Sequence, residues 1–147
     1  MLTVHASGGT KMLRAAVEAG SEANPAMKIL AVTVLTSMDD ADLTRVGVHG
    51  RTLDQVLRLA ALAMDAGCHG LVASAHEASE LRRALGDKFL IVTPGVRPTG
   101  ADFGDQSRVA TPSEAIAAGA THIVVGRPIT GSDDPAAAAR AILGEIS

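Results

Sequence analysis

Residues 29–35 read Ile-Leu-Ala-Val-Thr-Val-Leu, with no charged side chain and four β-branched residues, Ile29, Val32, Thr33 and Val34. β-Branched residues favour strands because they pack well on a pleated surface. A strand with one wet face alternates apolar and polar positions. A run that is apolar almost throughout is expected where helices cover both faces of a parallel sheet. Similar runs recur at Leu2–Ala6 (LTVHA), Gly70–Ala75 (GLVASA), Phe89–Gly95 (FLIVTPG) and His122–Gly126 (HIVVG).

The segments between these runs have helical spacing. Thr10–Ala19 carries Met12, Leu13, Ala16 and Val17 on its apolar side, and Leu53–Ala66 carries Leu53, Val56, Leu57, Ala60, Ala61 and Met64. Shorter helices are expected over Asp39–Val46, where Asp39 and Asp40 suit the positive end of the dipole, and over Glu77–Leu85. Ser113–Ala118 has Thr111 as a cap and Pro112 at the first helical position, and Pro135–Ile146 starts after Asp133 and Asp134. Strand and helix alternate five times, which predicts βα units around a parallel sheet with right-handed crossovers. The 147 residues read as one domain, without a linker or an internal repeat. The long irregular segment is Val96–Ala110, and loops of that length in compact domains are usually functional or disordered.

Composition narrows the function. Net charge is −3 and the basic residues form no stripe, which disfavours nucleic acid and anionic membrane as partners. Phe89 and Phe103 are the sole aromatics, too few for a platform on which bases stack. Cys68 is alone, so no disulfide forms within the chain, as suits a reducing compartment. The first residues show no signal-peptide pattern, and no apolar run reaches the ~20 residues of a membrane span. A cytoplasmic protein is expected.

Ligands of parallel α/β proteins bind at the carboxyl ends of strands. Those ends carry Thr36-Ser37, then Pro94-Gly95-Val96-Arg97, then Gly126-Arg127. A glycine admits a ligand close to the backbone, and an arginine fork suits phosphate. Pro128-Ile129-Thr130 would add amide groups, as helix starts do for anions. Arg97 and Arg127 on adjacent strand ends read equally as a phosphate clamp or as two solvated surface residues. Thr36 and Ser37 read equally as donors to a heterocycle or as caps of the following helix. Gln106, in the Gly104-Asp105-Gln106 turn, reads by spacing as a solvated residue. His5, among apolar neighbours, reads as a core histidine. The remaining histidines lack metal spacing, so no metal is expected.

These residues also carry a resemblance. TVHASGG, LAVTVLTSM, VTPGVRP, the GDQ turn, RVATPSEAIAAGA and VVGRPIT occur in an order and spacing that resemble bacterial orotidine 5'-monophosphate decarboxylases, from Leu2 onward. The resemblance implies five βα units, strands four to eight, of a (βα)₈ barrel. It implies a homodimeric enzyme that converts orotidine monophosphate to uridine monophosphate and CO₂ without cofactor or metal. It assigns phosphate to Arg97, Gln106, Gly126 and Arg127, the ribose and pyrimidine to Thr36 and Ser37, and packing against the base to Pro94. Segment 96–110 resembles the family's phosphate-gripper loop. Family relatives with magnesium and acidic strand ends fit less well, because Thr36-Ser37 and Gly-Asp-Gln stand here instead.

One departure is large. The family's D-x-K-x-x-D motif is missing: Lys11, Lys28 and Lys88 are the only lysines, and none has an Asp two residues before it. No catalytic residue is therefore assigned. Five strands leave a barrel incomplete, so the expectation is an open, flavodoxin-like sheet or completion by association with the missing half or a second copy.

Overall fold

The structure is a computed structural model that describes residues 1–98 and 108–146. Its strands are β1 (Leu2–His5), β2 (Ile29–Val32), β3 (Gly70–Val72), β4 (Leu90–Thr93) and β5 (His122–Ile123). Its helices are α1 (Gly9–Ala23), α2 (Asp40–Arg45), α3 (Thr52–Asp65), α4 (Ala75–Leu85), α5 (Pro112–Ala117), α6 (Arg127–Thr130) and α7 (Pro135–Gly144), and a 3-10 turn spans Ala6–Gly8. Each expected strand and helix is present. The strands stop early because their apolar runs continue past the ladder: Val34 and Leu35 turn to line a cavity, and Val125 packs on a small core beyond β5.

The five strands form one parallel sheet in the order β1-β2-β3-β4-β5. A flavodoxin-like sheet would run 2-1-3-4-5 and place helices on both faces. Here α3 touches α1 and α4, and α4 touches α5, so these helices form one layer. The open sheet is thus an arc of a barrel wall, and the flavodoxin-like alternative does not hold.

The core lies between that layer and one sheet face. Leu13, Val56, Ala60, Ala63 and Leu81 from the helices meet Ile29, Ala31, Leu71 and Ile91 from the strands, all with no exposed surface. A fully buried Leu, Ile or Val is worth about 1.5–3 kcal/mol. Strands this short depend on that packing rather than on their own ladders. Gly70 keeps the sheet close at its centre, because a Cβ there would lie 2.5 Å from the Leu90 carbonyl oxygen. Arg82 of α4 donates to the carbonyls of Gly119 and Phe89, each at 2.9 Å, tying the helix to the approach of β5 and the start of β4.

Alternate strand residues point to the other face, which has no helix layer among the described residues. In register there lie His5, Val32, Val72, Val92 and His122. His5 is exposed, so it is not a core histidine. The reason is positional: β1 is an edge strand, and the pleat sends Val4 to the core and His5 away from it.

The helix starts are well specified. Asp39, Ser74 and Thr111 each cap the following helix in a capping box closed by Asp42, Glu77 and Glu114. Cys68 is buried and free, and burial pushes its thiol pKa up, as for a packing residue.

Candidate functional site

A cavity of about 270 Å³ lies at the carboxyl ends of β2, β3 and β4, lined by Val32, Val34, Leu35, Thr36, Ser37, Val72, Ala73 and Pro94. Three of the expected site residues, Thr36, Ser37 and Pro94, meet around it. Asp39 itself is the N-cap of α2 and accepts the Asp42 amide. A larger cavity, about 520 Å³, opens at the opposite end of the sheet between Lys28, His69, Asp87, Lys88 and Thr121. Two of its polar side chains serve the ladder: His69 accepts the Ile29 amide and Thr121 bridges the amide and carbonyl of Ile91. Parallel βα folds place chemistry at the carboxyl ends, so the smaller cavity is the candidate site.

Arg97 follows β4. It is 6% exposed, and its guanidinium donates to the Val96 carbonyl at 2.9 Å. Its amide donates to Ala110 at 2.9 Å, beside the Val96–Ala110 bridge that joins the two roots of the long loop. Gln106 lies outside the described residues.

Gly126 and Arg127 follow β5 and start the single turn α6, which was not expected as a helix. A Cβ on Gly126 would meet nothing within 4 Å, so its small size is not demanded by packing. The expected amide array does not form. Pro128 has no N–H, and the amides of Ile129 and Thr130 donate to the Gly126 carbonyl at 2.9 and 3.1 Å.

None of the three lysines lines this cavity. Lys11 is in the first turn of α1, after the carboxyl end of β1, while Lys28 and Lys88 line the cavity at the other end of the strands. Among the described residues no group of three or more His, Cys, Asp or Glu could hold a metal, and no helix is long and apolar enough to cross a membrane.

Sequence reasoning missed one feature, the Arg108–Glu77 ion pair, whose side chains are 11% and 5% exposed. Arg108 also donates to the carbonyls of Val34 and Leu35 at 3.3 and 2.9 Å. Burial pushes the Glu77 carboxyl pKa up, and the Arg108 guanidinium only partly offsets that. Glu77 is legible locally as the third helical residue of a capping box. No local signal links it to a partner 31 residues away.

A consecutive parallel arc with its cavity at the strand ends defines a protein of the (βα)-barrel class. The chain belongs to the orotidine 5'-phosphate decarboxylase / HUMPS family, whose profile matches residues 1–142. It is 58% identical to the orotidine 5'-phosphate decarboxylase of Rhodospirillum rubrum, over 99% of this chain and 61% of that one. It is 57% identical to that of Anaeromyxobacter dehalogenans, over 97% of this chain and 61% of the other. The crystal structure of orotidine 5'-phosphate decarboxylase from Lactobacillus acidophilus superposes with a TM-score of 0.83 at 41% identity, over 99% of this chain and 62% of that one. The chain thus spans about three-fifths of the length of the relatives it matches.

Proposed function

We propose that this chain is the phosphate- and pyrimidine-holding portion of an orotidine 5'-monophosphate decarboxylase, acting in pyrimidine biosynthesis. The substrate is orotidine monophosphate and the products are uridine monophosphate and CO₂, with no metal or cofactor. In this reading Thr36, Ser37 and Pro94 hold the base and ribose. Arg97, Gln106, Gly126 and Arg127 hold the phosphate, with Gln106 and the gripper role of segment 96–110 resting on resemblance alone.

The observation that carries the reading is the shared cavity of Thr36, Ser37 and Pro94, with arginines following the last two strands. At about 270 Å³ it is slightly smaller than sites for drug-sized ligands, which run ~300–1,000 Å³, and suits one ring better than a whole nucleotide. The phosphate then projects toward the arginines. Binding energy gathered there is available to organise the reacting end.

In this reading the 147 residues bind but do not decarboxylate. The reaction needs a carboxylate to disfavour the substrate's own and an ammonium to stabilise and protonate the carbanion. The positions of the lysines support this, since Lys28 and Lys88 lie at the opposite end of the strands and none of Lys11, Lys28 and Lys88 lines the candidate cavity. Turnover requires the remaining βα units, on the same or a separate polypeptide, closing over the sheet face that carries His5, Val32, Val72 and Val92. A second copy of the chain is the other occupant, and light scattering separates the two.

Calorimetric titration of the folded chain with uridine monophosphate tests the binding claim, and saturable heat is expected. Absence of binding by a folded chain leaves only a structural fragment. Mixing with the missing βα units is expected to restore uridine monophosphate production. Turnover by the purified chain alone would refute the division of labour.

A further inference from the structure

We propose that Arg108 is a positioning residue that couples the phosphate end of the site to its base end. This rests on the nucleotide reading above. Its guanidinium is nearly buried and spans three acceptors, one on α4 and two on the segment that follows β2. One arm holds the Glu77 carboxylate of α4, and the other holds the carbonyls of Val34 and Leu35 directly before Thr36 and Ser37. The anchor is firm, because Glu77 also accepts the Ser74 amide at 3.0 Å.

The same stretch of chain reaches the phosphate side. Val109 accepts a hydrogen bond from His76 Nε2 at 3.0 Å, and Ala110 accepts the Arg97 amide at 2.9 Å. Residues 108–110 therefore connect the Arg97 backbone to the strand end that carries Thr36 and Ser37. A displacement of Arg97 by an anion is transmitted through this short hydrogen-bonded stretch. An arginine suits the task because its rigid fork serves a carboxylate and carbonyls together, whereas a lysine offers a single point of charge. The Nε of Arg108 is buried without a hydrogen-bond partner among the described residues, so the geometry favours the two outer arms at the expense of the third donor.

The test uses the whole chain, labelled with ¹⁵N and titrated with inorganic phosphate, read by amide chemical shifts. In the wild type the amides of Arg97, Gly126 and Arg127 are expected to shift saturably, and those of Leu35, Thr36 and Ser37 to shift with the same midpoint. In Arg108→Met the first group still shifts and the second no longer follows. Arg108→Lys keeps a charge opposite Glu77 but lacks the second arm, and it is expected to lose the same response. It decides the matter if the Met variant does not fold. Shifts at Arg97, Gly126 and Arg127 with Leu35–Ser37 still in the wild type, or following undiminished in a folded variant, overturn the coupling alone. Silence at all of these positions in the folded wild type overturns the nucleotide reading and the coupling with it.

Discussion

Asp40 accepts both the amide and the hydroxyl of Thr52, at 2.7 and 2.5 Å, so the start of α3 is capped from the first turn of α2. The N-cap residue of α3, Arg51, makes no side-chain cap of its own. The Thr52 hydroxyl, then its amide, hold the Asp40 carboxyl below its ordinary pKa of 3.8. A carboxylate with a depressed folded pKa supports the fold above its unfolded value, and the support is lost as pH falls through the folded pKa. A carboxyl-carbon titration is expected to place Asp40 below 3.8, and Thr52→Val to move it back upward. An unchanged midpoint in that variant would remove the cap from the account.

Glu77 has the opposite sign. Its carboxyl is raised above 4.5 by burial, so its contribution is largest in acid and is lost as pH rises through the folded pKa. Arg108→Met removes the guanidinium paired with it and is expected to raise the Glu77 pKa further. Leaving one partner of a buried pair alone costs ~3–5 kcal/mol. The deficit of the variant at neutral pH should therefore shrink as pH is lowered toward 4.5, measured by urea unfolding at a series of pH values. A deficit independent of pH contradicts a charged Glu77 held by Arg108.

Gly70 offers a test of the sheet. Its missing Cβ would stand 2.5 Å from a backbone oxygen of β4 and 2.6 Å from the Leu90 Cβ, and backbone cannot swing aside as a flexible side chain can. Gly70→Ala is expected to destabilise the chain by about 1–3 kcal/mol, the usual range for overpacking. Thermal unfolding measures it. A stability gain would mean that β3 and β4 sit further apart.

Arg127→Ala tests the phosphate end. Hydrogen bonds to a charged group are worth ~1.5–3 kcal/mol, which corresponds to roughly ten- to hundredfold in affinity. Uridine monophosphate binding should weaken by that factor, while binding of uridine, which lacks the phosphate, should not change. Equal losses for both ligands would assign Arg127 to the fold instead.

Much of this was legible in the residues. Continuous apolar runs such as Ile29–Leu35 announced the parallel sheet, and Thr111-Pro112 announced the start of α5. The strand ends were less legible, because an apolar residue that lines a cavity, such as Val34, looks the same in sequence as one within a ladder. His5 misled for a related reason: its neighbours are apolar, but a pleated edge strand separates adjacent residues onto opposite faces. Of the site, Thr36, Ser37 and Pro94 were found together, since each closes or follows a strand. The α6 turn was missed because Gly126-Arg127-Pro128 also suits an extended anion loop. Arg108 was missed because its partners, Glu77, Val34 and Leu35, are brought to it by the fold and not by spacing.

In the sheet every strand is paired only with strands next to it in the chain. No strand has to wait for a distant segment before it can dock, which keeps loop closures short and assembly fast. Such a wall can grow one βα unit at a time as the polypeptide leaves the ribosome, each new strand adding to the edge left by the last. The two-residue β5, which joins at the end of that series, has the least ladder to hold it and should be the first to fray.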